Sequence, residues 1–199
     1  NRSTTSTKVD WSAQGVGIDL ADDAADIDVS ATLAVSVGGG VASAAGRASF
    51  SLHGGVDALS ATQILELHVS DGSVWVGVGG GLNLAHDAVS QGTTGLYATG
   101  ISLDYASAIA AGVTYTGLKL HVDTLSLVGF DSALQLYVSD LDVKANRSTT
   151  STKVDWSAQG VGLDLAADAA DIDVSATLAV SVGGGVASAA GRAAFSLHD

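Results

Sequence analysis

The stretch DLDVKANRSTT, residues 140–150, decides how this chain is built. It closes one period of 145 residues and opens the next. Residues 146–198 repeat residues 1–53 with three changes: Ile18 to Leu163, Asp22 to Ala167 and Ser49 to Ala194. The seam holds no proline, no glycine and no long polar tract. Leu134, Leu136 and Val138 alternate with Gln135, Tyr137 and Ser139, and Leu141 and Val143 alternate with Asp142 and Lys144. Successive side chains of a strand point to opposite faces, so this period of two predicts strand up to the joint. Independent domains would show a boundary there. A strand running through the seam predicts units that each bury the edge of the last.

The same alternation recurs outward from the seam. It covers Val9–Ala13, Ile27–Val37, Leu65–Val69, Val74–Val78 and Leu118–Val122. Ser70-Asp71-Gly72-Ser73 separates two such runs and predicts a hairpin turn. Gly38-Gly39-Gly40, Ala110-Ala111-Gly112 and Gly129-Phe130-Asp131 predict further tight turns, and Ala21–Ala25 and Ser90–Thr94 looser loops. About eight strands per period follow. Helix has little support; its best candidate is Ala58–Leu67, with a turn or two at Ala106–Ala111. The expected fold is all-β: a mostly antiparallel, long-strand repeat rod, either a β-solenoid or a superhelical β-meander, with tandem β-sandwich domains as the alternative. Residues 1–145 form one full tandem repeat and 146–199 the first third of the next, so the chain reads as a piece of a longer array.

Composition narrows the function classes. Eight Lys and Arg stand against 21 acidic residues, of which only Glu66 is glutamate, for a net charge of −13. That balance disfavours nucleic acid and anionic membranes, which select basic surfaces. There is no cysteine, so disulfides and thiolate metal sites are excluded. The uncharged run 29–46 is near the length of a membrane span, but its alternation and its Gly, Ser and Thr content make it a strand. Only 15% of residues are charged, with a mean hydropathy of +0.36, which is high for a sheet with one fully solvated face. Small residues on both faces suit close sheet contact, and unpaired edges suit assembly.

The segments LQLYVSDLDVKAN (134–146), DGSVWVGVGGG (71–81), YATGISLDYASA (97–108) and YTGLKLHVDTLSLVG (115–129) resemble the tandem repeats of giant bacterial surface and extracellular proteins. These are the Gly/Ala/Ser/Asp-rich exoproteins and adhesin stalks whose long repeats are nearly all β. The resemblance implies an exported, cell-surface or extracellular filament or stalk, and it carries no catalytic residue. The calcium nonapeptide GGxGxDxUx of some such proteins is absent here.

Candidate chemistry is sparse. Asp26 and Asp28, and likewise Asp140 and Asp142, would share a strand face ~6.5–7 Å apart. With Asp22 and Asp23 in a loop, these carboxylates form candidate calcium ligands, the alternative being a solvated acidic edge. Trp75 and Tyr97, with Tyr105, Tyr115 and Tyr137, would form a sugar-binding strip if exposed, or cross-strand core pairs if not. The five histidines show no HxH, HxxxH or HExxH spacing, and His68 and His121 are expected on outward faces. Gly77-Val-Gly79-Gly80-Gly81 lacks a phosphate-loop signature and predicts a bulge or close sheet contact. No GxSxG occurs, and no spacing singles out a carboxylate pair, so an enzyme of unknown reaction ranks last. The sequence therefore points to a non-enzymatic structural repeat that self-assembles with identical repeats or chains, without cofactor unless calcium. The alternative is a surface repeat that binds carbohydrate or ice.

Overall fold

A computed structural model describes residues 9–10, 12–14, 25–54, 63–130 and 133–198. Its main feature is one antiparallel sheet of eight strands in the order β1-β2-β3-β6-β7-β8-β9-β10. The strands are β1 (Ile27–Val37), β2 (Ala42–His53), β3 (Ile64–Val78), β6 (Thr94–Ala110), β7 (Val113–Val128), β8 (Leu134–Ser148), β9 (Ile172–Val182) and β10 (Ala187–Leu197). Each strand pairs with its predecessor in the sheet, so the chain meanders. Between β3 and β6 a small hairpin, β4 (Gly81–Leu82) with β5 (Val89–Ser90), forms a sheet of its own. Among the described residues no strand pairs with the outer edge of β1 or of β10, so the sheet they form is open.

Several turns follow from local chemistry. β6 and β7 are joined by Ala111 (φ 49°) and Gly112 (φ 80°), the two left-handed residues that match strand twist in a two-residue hairpin. Gly38, Gly39 and Gly40, at φ 64°, 66° and 95°, turn β1 into β2 as expected.

Ser70–Ser73 is not a turn. Asp71 (φ 53°) and Gly72 lie inside β3, which continues from Ile64 to Val78 with β2 and β6 on its two sides. The Asp-Gly pair uses its tolerance of positive φ for a bulge, which needs the same backbone freedom as a tight turn. Further irregularities sit beside it: a register shift at Ala45/Arg47 on β2, Gly100 (φ 63°) on β6, and Asp140 (φ 51°) with a shift at Ser139/Asp142 on β8. Together they cross the middle of the sheet and divide the long strands into halves. The helix expected at Ala58–Leu67 is strand from Ile64 onward, with 58–62 outside the described residues; Ala106–Ala110 is also strand. No α-helix occurs among the described residues, and none there is long and apolar enough to cross a membrane.

Each half carries a core cluster. One gathers Trp75, Ala45 and Val89, with Leu82, Tyr97 and Val128 packed against them. The Trp75 and Tyr97 rings sit 6.4 Å apart, and Tyr97 donates to the Val89 carbonyl at 3.3 Å. A Cβ at Gly80 would lie 2.3 Å from the Trp75 ring, so the glycine run serves close packing. The other cluster joins Ile64, Ala106, Ala108 and Ala110 to Val154, Trp156, Val161, Leu163 and Leu165.

Candidate inter-repeat junction

The second cluster is built by the repeated stretch itself. β8 runs through the seam: Asn146, Arg147 and Ser148 pair with Gly117, Thr116 and Tyr115 of β7. The chain then leaves the sheet at Thr149, whose N–H donates to Thr114 O at 3.0 Å. Residues 149–171 fold back over β7, β6 and β3 of the preceding unit. Val161, Leu163 and Leu165 are buried while Gly162, Asp164 and Ala166 face out, a strand-like alternation without a ladder. Trp156 opens a 3-10 turn (Trp156–Gln159) and is fully buried.

Asn146 ties this segment to the strand. Fully buried, it donates from Nδ2 to Val154 O and Ala166 O, both at 2.8 Å, and accepts from Trp156 Nε1 at 3.1 Å. A buried amide is favourable only when so satisfied. Gly117 makes the approach possible: a Cβ there would stand 2.4 Å from Leu163 Cδ2 and 2.6 Å from Trp156 Nε1. The first asparagine and the tryptophan of NRSTTSTKVDWSAQG are therefore the clasp of the joint. Sequence alternation alone did not give Asn146 this role; its exact repetition at position 1 was the only signal.

After the clasp, the chain re-enters the sheet. Lys153 forms an ion pair with the buried Asp171 and donates to Ala169 O at 2.9 Å. β9 then pairs with β8 from Leu134↔Val182 to Lys144↔Asp173. Lys144 and Asp173 are directly opposite, a favourable charge pair, and Asp173 also accepts from Ser196 Oγ at 2.9 Å.

These contacts bear on the carboxylates singled out above. Asp22 and Asp23 lie outside the described residues. Asp26 precedes β1, and Asp28 is exposed within it. Of their second-copy counterparts, Asp171 pairs with Lys153, and Asp173 accepts from Ser196 and lies opposite Lys144 on β8. Asp140 and Asp142 do not sit on one regular strand face, because Asp140 is left-handed and the register shifts between Ser139 and Asp142. Asp142 accepts from His121 Nδ1 at 2.8 Å, and Asp123 from His121 Nε2 at 2.9 Å. Both ring nitrogens thus meet carboxylates, an arrangement that suits the imidazolium. The Asp142 hydrogen bond, then Asp123, raises the His121 pKa against the opposing effect of partial burial. Among the described residues no group of three or more His, Asp or Glu side chains is arranged to hold a metal. Trp75 is fully buried and Tyr97 half-buried with its hydroxyl engaged, so they form a core pair and not an exposed strip. His68 is exposed as expected and meets Asp104 at 2.5 Å; His121 is half-buried.

The junction can be seen from both sides, because one hairpin occurs twice in different surroundings. β1–β2 and β9–β10 have the same internal register, Ile27↔Leu52 to Val37↔Ala42 and Ile172↔Leu197 to Val182↔Ala187. In the first copy, β2 is covered by β3, and in the second, β9 is covered by β8; among the described residues no strand lies on the outer edge of β1 or of β10. Burial follows: Ser43 and Ala45 are buried on β2, whereas every residue of β10 is exposed. Every residue of β1 is exposed, whereas Ile172–Thr177 are half-buried. Comparison with protein-family models, curated proteins and solved structures gave no match.

Proposed function

We propose that the chain is a structural segment of a giant extracellular or cell-surface filament or adhesin stalk, in which successive repeats extend one antiparallel sheet. The observation that carries this reading is the seam: the end of one period, β8, is hydrogen-bonded to the start of the next, β9, and a buried Trp–Asn clasp lies over the joint. No linker intervenes. A following repeat would place its β3 on β10, as β3 lies on β2 in the first copy, in the register Ala42↔Val76 to His53↔Ile64. Each period then contributes six long strands, the equivalents of β1, β2, β3, β6, β7 and β8.

The cell-surface assignment rests on the resemblance of the repeats, and the stalk assignment on the seam. With Trp75 in the core, no structural observation favours the carbohydrate- or ice-binding alternative. The test is to lengthen the chain by one and two periods and measure maximum dimension by small-angle scattering. Six strands at ~4.8 Å spacing predict growth of roughly 29 Å per period along a twisted path. Domains joined without fixed geometry, seen as a broad distribution of lengths, would overturn the reading. Loss of signal after protease treatment of intact cells would place the chain outside; full protection would overturn the cell-surface assignment.

A further inference from the structure

The two faces of the main sheet differ in kind. Following the register across β3, β6, β7, β8 and β9 gives one row of Val69, Leu103, Leu120, Val143 and Val174. A second row holds Val74, Ala98, Leu125, Val138 and Leu178. In β9, which pairs with β10 without a break, Val174 and Leu178 stand four positions apart and so share a face. The other four strands each insert one extra residue between the rows at the bulge line, which keeps both rows on that face. Neither row contains a charge. The opposite face carries His68, Asp104, Lys119, Lys144 and Asp173 in a single row.

Cover is equally one-sided. The clasp rests on Ile64 and Ala106, and the β4–β5 hairpin on Trp75, all on the face of the polar row. Residues 149–171 are the second copy of 4–26, so the repeat itself writes its covering segment for that face. Among the described residues nothing lies on the apolar face. The sheet edges do not decide this: β3 and β6 have a strand on both sides, yet Val76 and Leu96 on them are 48% and 40% exposed.

We infer that two copies of the chain pack face to face through these apolar rows, forming a two-layer sandwich at right angles to the direction in which repeats extend the sheet. This goes beyond the array reading, since the partner is another molecule and the contact is lateral. The area fits. Eight strands at ~4.8 Å, the shortest of eleven residues at ~3.3 Å each, give a face of roughly 38 by 36 Å. Two copies would bury roughly 2,700 Å², above the ~1,600 Å² of a standard interface and within the range of apolar, permanent dimers. A soluble chain rarely leaves so large an apolar face bare. With no charge in the rows, a charged partner finds nothing to pair with there, whereas a second copy brings the same chemistry.

The relief of the face also complements itself. Ala44, Gly46 and Ala48 make β2 a furrow beside Leu33 and Val35 of β1, with a hollow of about 400 Å³ above it. Ala189, Gly191 and Ala193 make β10 a furrow beside Leu178 and Val180 of β9. A two-fold axis along the strands between β6 and β7, the middle of the sheet, sets β9 of one copy over β2 of the other and β1 over β10. Bulky strands then face small ones at both flanks. Sheets stacked ~10 Å apart and crossing at ~30° interdigitate in this way. The interface is isologous, so it closes at a dimer.

Sedimentation velocity of the 199-residue chain over a wide concentration range tests this. A dimer that grows no further is expected; a monomer throughout, or an open series of larger species, would overturn it. Leu96→Lys sets a charge beside the axis and should give a monomer with an unchanged circular dichroism spectrum. Ser30→Lys, on the opposite face, should leave the dimer intact. The reverse pattern would refute the proposal. Because the chain has no cysteine, a spin label on a Leu96→Cys copy reads the geometry even if the lysine variant does not fold. The two labels of a dimer should stand roughly 10–20 Å apart; a longer separation would refute the axis. A monomeric chain whose lengthened versions still grow by a fixed step would sink this inference and leave the array reading standing. A dimer whose lengthened versions show no fixed step would do the opposite.

Discussion

The two hairpins are a comparison made by the molecule itself. β1–β2 and β9–β10 differ at one strand residue, Ser49 against Ala194, and share turn geometry: Gly38, Gly39 and Gly40 have φ values of 64°, 66° and 95°, and Gly183, Gly184 and Gly185 of 64°, 69° and 94°. Yet what each strand buries is decided by its neighbour. Gly77 donates to the Val41 carbonyl at 2.8 Å, and a Cβ on Gly40 would meet the Gly80 backbone, whereas one on Gly185 would meet no described atom within 4 Å. The lesson is that hairpin conformation is local, whereas its burial is set by the strand that lies beside it.

The largest expected effect comes from the clasp. Trp156→Ala removes a fully buried indole and strands the Asn146 carbonyl, and should cost about 3–5 kcal/mol in chemical denaturation. Loss of less than about 1 kcal/mol would mean that the folded-back segment contributes little to the joint. Next come the paired glycines. Gly40→Ala and Gly185→Ala each force a left-handed alanine, at about 1–2 kcal/mol. Gly40→Ala should cost a further 1–3 kcal/mol or so, since its Cβ would sit 2.2 Å from Gly80 O. Equal costs would break the comparison. Lengthening the chain by one period should raise the cost at Gly185 to that at Gly40. A milder pair is Gly191→Ala, which meets no atom within 4 Å, and Gly46→Ala, which meets Gly72 Cα at 3.1 Å and Ser70 O at 3.2 Å. The first should be neutral or stabilising by up to about 1 kcal/mol, and the second destabilising.

The smallest effect is electrostatic. His121 has a raised pKa in the folded state, so its contribution is fully present below the unfolded pKa and fades as pH rises through the folded one. The side chain is a third exposed, so roughly 0.2–1 kcal/mol is at stake. Thermal midpoints should fall modestly from slightly acidic to alkaline pH, and His121→Asn should flatten that slope. A slope unchanged in the variant would assign the pH dependence to other groups.

Much of the sheet was legible in the sequence, because period-two alternation survives along β1, β3, β7 and β8 and glycine marks the β1–β2 and β6–β7 turns. What alternation concealed was strand length. Asp71-Gly72 reads as a hairpin because left-handed backbone serves bulges and turns alike, and only the neighbours β2 and β6 distinguish them. The partners of the acidic residues were hidden for a related reason: Asp171 meets Lys153, and Asp173 lies opposite Lys144 in the sheet, residues 18 and 29 positions away in the chain. Asn146 and Trp156 stood in plain view as a repeat, but their bond depends on Gly117, a residue of another strand.

The most direct measurement is amide hydrogen exchange at β10 before and after residues 55–145 are appended to the chain as the continuation of the second repeat. Resolved by NMR, the outward-facing amides of Ala187–Leu197 should exchange quickly in the 199-residue chain under conditions that keep it monomeric. In the lengthened chain they should slow to match their counterparts on β2. If they stay fast, β10 is a true end and the sheet does not pass from repeat to repeat.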